Sequence, residues 1–310
     1  MKKILSFILT FILVASIFTS CNENMLNDDT QADTTEQSES LTQTEKQTKK
    51  ETTKKETTKK ETTKKETTKT YAESTAGLYF ELNPEENGYI LASLEFCKAK
   101  EIVIDGHKGL PVVDIGFEAL KDNQNIVKLT LSGEIKTLPE KSFYNCPNLK
   151  TVIIKDKLTH IGAYAFENCT ALKTVQIGNG VTTIGQSAFE NCTALETVQI
   201  GNGVTLIDKF AFNNCTSLKN LTLGNKLQTI ETCAFQNCSS LTSVVIPASA
   251  KLIRENSFGY CYNLTSAEFK DPNNWGPVDH FGYTYDLTDK KYAAEILRCD
   301  GWMYEGFRKH

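Results

Sequence analysis

The sequence predicts an α/β solenoid: seven stacked coils of 23 residues, each a short helical turn followed by a short parallel strand. Three observations carry this. Residues 161–183 read IGAYAFENCTALKTVQIGNGVTT and residues 184–206 read IGQSAFENCTALETVQIGNGVTL; self-similarity at a fixed period of this size marks a solenoid. Further copies start at Ile115, Leu138, Ile207, Ile230 and Ile253, with no insertion between them. The apolar residues keep one phase in every copy, so each copy offers the same face to its neighbours.

Within a coil, Ile184 opens the unit. Ala188, Phe189 and Cys192 follow at offsets that one face of a short helix would bring together. Leu195, Val198 and Ile200 come next, and the last two alternate as in a strand with one buried face. Gly201, Asn202 and Gly203 then turn the chain, with glycine expected there for its access to positive φ. Val204 packs inward before the next coil opens. One coil cannot fold alone. Its inward side chains are worth about 1.5–3 kcal/mol each when buried. Ordering its backbone costs about 1–2 kcal/mol per residue. Coils must therefore stack, pair their strands and share a core.

Ala165, Phe166, Asn168, Cys169 and Leu172, with their equivalents through Phe258 and Cys261, form the pattern A-F-x-N-C-x-x-L. This resembles the BspA-type bacterial leucine-rich repeat over residues 115–270. The resemblance implies a leucine-rich-repeat stack and a surface protein of the adhesion class, with host extracellular-matrix proteins as partners. The matching residues are core residues, so they speak for the fold rather than for a ligand.

Before the repeats come three segments. Residues 1–20 read as a lipoprotein signal peptide: Lys2 and Lys3 precede the apolar run 4–18, which is shorter than the ~20 residues a membrane span needs. Phe18, Thr19 and Ser20 stand where a lipobox would, which makes Cys21 the expected site of lipid attachment. Residues 21–75 read as a disordered Thr/Lys/Glu-rich tether, because the K-K-E-T-T repeats at 49–70 offer no core. Residues 76–114 are expected to cap the stack through a β-hairpin over 78–82 and 89–94, broken by Pro84 and Gly88. After the repeats, residues 271–310 are expected to form a helical and aromatic cap. Thr288 would N-cap a helix over 289–298, and Trp302, Tyr304 and Phe307 would follow it. The alternative for this end is a partner-binding patch containing Trp275 and Trp302.

Of ten cysteines, Cys146, Cys169, Cys192, Cys215, Cys238 and Cys261 share one repeat phase. Equivalent side chains on stacked coils point in parallel, which suits core thiols better than disulfides or a tetrahedral metal site. Cys97, Cys233 and Cys299 fall outside this series. Asn168, Asn191, Asn214 and Asn237 match the glycosylation sequon, but recur at a corner where their side chains would satisfy turn backbone groups. The four histidines have no metal or nucleophile spacing around them, and the carboxylates form no catalytic pair. The expectation is no enzyme, no metal and no cofactor. A formal net charge of −4 gives no overall basic signature for nucleic acid.

Function is therefore expected on the outward strand positions: Lys128 and Thr130, Thr151 and Ile153, Thr174 and Gln176, Thr197 and Gln199, Asn220 and Thr222, Ser243 and Val245, Ser266 and Glu268. If the strands line a concave side, these pairs form one shallow, short-chained, nearly neutral sheet. Such a face suits a protein or glycan ligand better than a polyanion; good β-surface composition alone would also produce it. The expected protein is lipid-anchored to a bacterial membrane, displayed on the cell surface and bound to a macromolecule. The alternatives are a structural spacer or assembly subunit of the envelope, and a glycan-binding module.

Overall fold

The computed structural model describes residues 73–93, 97–277, 285–298 and 306–309. The expected signal peptide, Cys21 and the tether as far as residue 72 lie outside these residues, as do Cys299, Trp302 and Tyr304.

Eight long strands occupy the same point of successive coils: Glu101–Ile104, Lys128–Leu131, Thr151–Ile154, Thr174–Ile177, Thr197–Gln199, Asn220–Thr222, Ser243–Ile246 and Ser266–Phe269. The first six form one parallel sheet and the last two another. Equivalent residues pair, so the repeat register becomes the sheet register. A second parallel sheet contains two-residue strands from the opening of each coil: Thr137–Leu138, His160–Ile161, Thr183–Ile184, Leu206–Ile207, Thr229–Ile230 and Leu252–Ile253. The stack thus has about eight coils where the repeat pattern predicts seven. The extra one belongs to Glu101–Ile104, which pairs in parallel with Lys128–Leu131.

The predicted helical turn is not a helix. Residues 186–192 are a chain of tight turns, with Ser187 and Asn191 at positive φ. Tyr164 and Asn168, Phe210 and Asn214, and Cys233 and Asn237 repeat this in neighbouring coils. A left-handed residue every fourth position stops helix propagation, at about 1–2 kcal/mol per non-glycine residue. The compensation is hydrogen bonding between coils. Ser187, Phe189 and Asn191 donate their backbone N–H groups to Lys209, Ala211 and Asn213 of the next coil at 2.8–3.0 Å. Ala188, Glu190 and Cys192 donate within the turns, to Gly185, Ser187 and Phe189. An α-helix would direct all these donors into itself. The third side of each coil therefore ties the stack together, and the architecture is a β-solenoid.

The core runs along the inside. Phe143, Phe166, Phe189, Phe212, Phe235 and Phe258 stack in one column, with ring centroids 5.0–5.1 Å apart and nearly parallel planes. All six are fully buried. Beside them run the six thiols of the repeat phase, each donating to a backbone carbonyl one coil back. Cys192 meets the Phe166 carbonyl at 3.3 Å, and Cys215 meets that of Phe189 at 3.3 Å. Burial pushes the Cys169, Cys192, Cys215 and Cys238 thiols upward in pKa. Cys97 and Cys233 are buried as well.

The Gly-Asn-Gly corners need glycine for a reason other than the expected one. Gly201 and Gly203 are not at positive φ. A Cβ on Gly203 would lie 2.0 Å from the Asn179 carbonyl oxygen of the coil below, so close stacking excludes any side chain there. Asn202 sits between them, and its side-chain oxygen accepts the backbone N–H of Asn225 in the next coil at 3.0 Å.

At the N-terminal end, Tyr79–Leu82 and Tyr89–Ser93 pair as an antiparallel hairpin, and the second strand pairs in parallel with Leu110–Ile115. At the other end, α1 (Lys290–Arg298) packs on the last long strand, burying Ala293, Ala294 and Leu297. Its N-cap is Asp289, not Thr288: the Asp289 carboxylate accepts the Tyr292 N–H at 2.8 Å. Trp275 is buried, edge-on to Phe269, and donates its indole N–H to the Asp271 carbonyl at 3.0 Å. It therefore packs the end of the stack and cannot supply an exposed patch. Phe307–Lys309 adds an antiparallel strand to Leu252–Ile253.

Candidate functional site

The outward positions of the long strands come together as two columns. Thr151, Thr174, Thr197 and Asn220 are in mutual register; so are Ile153, Gln176, Gln199 and Thr222. Alternation puts Val152, Val175 and Val198 into the core between them. Gln176, Gln199, Asn220 and Thr222 are exposed, and Thr151, Ile153, Thr174 and Thr197 are half-buried. Asn220 donates to the Thr197 hydroxyl at 3.4 Å. The columns continue through Lys128 and Thr130 to the first strand, where Lys128 meets Glu101 at 3.1 Å.

Ser243 and Val245 are not continuous with this array. The sheet is interrupted between Asn220–Thr222 and Ser243–Ile246, so these two residues share a separate two-stranded sheet with Ser266 and Glu268. Glu268 is occupied: hydrogen bonds from Lys270 and Lys290 hold its carboxyl down to about 2. The hydrogen-bonded part of the expected face therefore runs from Lys128 to Thr222.

The turn side of the coils carries its own polar columns, which sequence reasoning places differently. Asn191 donates its side-chain amide to Asn168 at 3.0 Å, and Asn214 to Asn191 at 2.9 Å. The asparagines thus bond to one another across coils, rather than to turn backbone. Next to them, Glu167 is half-buried beside Glu190; burial first, and then the Glu190 charge, push its carboxyl up to about 7. Asn213 donates to Glu190 at 2.9 Å. The sequence signal for this column is the asparagine repeated at the left-handed position, since asparagine tolerates that conformation best after glycine. Among the described residues no group of three or more His, Cys, Asp or Glu side chains is placed to hold a metal ion, and no helix is long and apolar enough to cross a membrane.

The family model "BspA type Leucine rich repeat region" matches residues 94–215 and 189–306. The crystal structure of the Treponema pallidum leucine-rich repeat protein is similar at 26% identity and a TM-score of 0.50, covering 64% of this chain and 84% of that one. A Bacteroides ovatus leucine-rich repeat protein is similar at 27% identity and a TM-score of 0.55, covering 63% of this chain and 52% of that one. The chain thus spans about half the length of the Bacteroides protein. No curated protein matches the sequence. The family match extends over more than half of the chain and spans the stacked phenylalanines and thiols: the chain belongs to the BspA-type leucine-rich repeat proteins.

Proposed function

We propose that this chain is a lipid-anchored surface protein that binds a macromolecular partner, of the adhesion type, through the outer face of its long-strand sheet. The observation that carries the reading is the pair of registered columns from Thr151 to Thr222. These side chains face outward and, apart from Ile153, present hydroxyl and amide groups side by side on a continuous hydrogen-bonded sheet. The threonine side chains lose little rotamer freedom when a partner covers them. Ile153, on the first of these four strands, adds an apolar side chain. An extended protein surface fits such a platform. The anchor rests on the apolar run that ends at Cys21, and the residues 22–72 would give the stack reach from a membrane.

The test is binding of the full chain to immobilised host extracellular-matrix proteins. The reading expects saturable binding that Thr174→Arg with Gln199→Arg weakens about tenfold or more, at an unchanged melting midpoint. Binding that is indifferent to both substitutions removes the sheet face from the function. Cys21→Ser should move the protein from the membrane fraction to the soluble one, and retention in the membrane contradicts the anchor.

A further inference from the structure

The first three long strands are entered from one side through loops that line an open cleft of about 300 Å³. Backbone bonds hold these loops in file: Val127 donates to the Lys100 carbonyl at 2.7 Å, and Lys150 to that of Val127 at 2.7 Å. Lys100 and Lys150 therefore flank Val127, and Lys98 completes a set of three exposed lysines at the cleft. None of the three has an ion pair among the described residues. Their neighbours differ: Lys128 is paired with Glu101 and Lys173 with Glu196. Three like charges are thus gathered around one concavity of a chain whose formal net charge is −4.

The remaining wall is made of amides. Gln124 donates to the Asp122 carbonyl at 3.0 Å, and Asn148 to the Gln124 carbonyl at 2.8 Å. These bonds fix both side chains by their nitrogens and leave their oxygens as acceptors. Asn125 adds a third amide, and half-buried Val127 a small apolar floor. We infer that this cleft binds an anionic saccharide: the ammonium groups take a sulfate or uronate, the amides take the neighbouring hydroxyls, and Val127 takes a C–H face. Ammonium groups alone would serve any anion. Amide acceptors beside them call for hydroxyl donors on the same ligand, and the described residues that line the cleft include no aromatic ring on which a nucleobase would stack. The site lies at the entry ends of the strands and is independent of the proposed role of the sheet's outer face.

The experiment is a titration of the full chain with a sulfated disaccharide, a uronate trisaccharide, their uncharged counterparts, inorganic sulfate and a short single-stranded oligonucleotide. Amide resonances of Gln124, Asn125 and Asn148 are followed, because the lysine-rich segment 49–69 could hold anions without moving them. The inference expects these resonances to shift with one or both charged sugars, and the charged sugar to outcompete sulfate. Lys98→Gln, Lys100→Gln and Lys150→Gln together should weaken binding about tenfold or more at an unchanged melting midpoint. Thr174→Arg with Gln199→Arg should leave it unchanged. The two sugars separate sulfate from carboxylate recognition. No shift, an equal response to the uncharged sugars, to inorganic sulfate or to the oligonucleotide, or binding that survives the triple lysine substitution, would overturn it.

Discussion

Asn191 illustrates what one side chain does here. It holds a left-handed backbone conformation, and its amide joins Asn168 to Asn214. Asn191→Ala should destabilise the protein by about 2–3 kcal/mol, combining the conformational penalty with the lost side-chain bonds. Asn191→Gly restores the backbone freedom but not the ladder, so it should fall between the two in chemical denaturation; a glycine variant less stable than the alanine variant contradicts the assignment. Glu167 makes a prediction about pH. Its folded carboxyl titrates at about 7, well above an unfolded glutamate, because burial and Glu190 disfavour its charge. The folded state therefore holds the proton more tightly, and this group's contribution to stability declines as pH rises from about 4.5 to 7. Glu167→Gln should flatten the decline of the melting midpoint between pH 4.5 and about 7, the window of that titration. Glu268 acts in the opposite sense and at lower pH: its lowered pKa favours the folded state above the ordinary glutamate range, and that contribution fades as the solution is acidified toward about 2. A midpoint that responds equally to pH in wild type and Glu167→Gln contradicts the burial of that carboxyl.

At the scale of the element, each coil depends on its neighbours through three hydrogen-bonded sides and one aromatic column. Phe189 stacks between Phe166 and Phe212, so Phe189→Ala should cost about 3–5 kcal/mol, measured by urea denaturation. An unchanged midpoint would contradict the stack. The two-residue strand at a coil's opening, such as Thr183–Ile184, is too short to show alternation and is legible only as an apolar opener; the long strand and the inward residues were legible in the sequence, because alternation and the 23-residue phase fix them. The third side was not. Ala188, Phe189 and Cys192 fall at offsets that suit a helix, yet the alternating left-handed turns bury the same three residues. Asn168, Asn191, Asn214 and Asn237 carried the true signal, but Tyr164, Ser187, Phe210 and Cys233 hold the same backbone conformation with no type in common. The glycines of the corner were legible as glycines and misread in cause, since the crowding at Gly203 comes from a neighbouring coil. The coil at Glu101–Ile104 was hidden by spacing: Glu101 and Lys128 are 27 residues apart, against 23 from Lys128 to Thr151. The interruption after Asn220–Thr222 has no counterpart in the repeat pattern.

For the whole molecule, the interior keeps one pattern from coil to coil with a few changes of size, such as Val244 to Ala267 and Ile246 to Phe269, and most variation lies at the surface. The outward pairs were readable from strand alternation; that Thr151 to Thr222 form one sheet while Ser243 and Val245 form another was not. The cleft at Lys98, Lys100 and Lys150 was also unreadable, because Lys150 is brought beside the other two lysines across the intervening coil of Val127. The central functional claim is that a partner seats on the outer face of the long-strand sheet and leaves the turn side free. Side-chain amide resonances report on both: Gln176, Gln199 and Asn220 on the outer face, Asn168, Asn191 and Asn214 on the turn side. Titrating the full chain with a bound matrix protein should shift the first three and leave the second three in place. Shifts confined to the asparagine ladder, with the outer-face amides unmoved, would contradict the account.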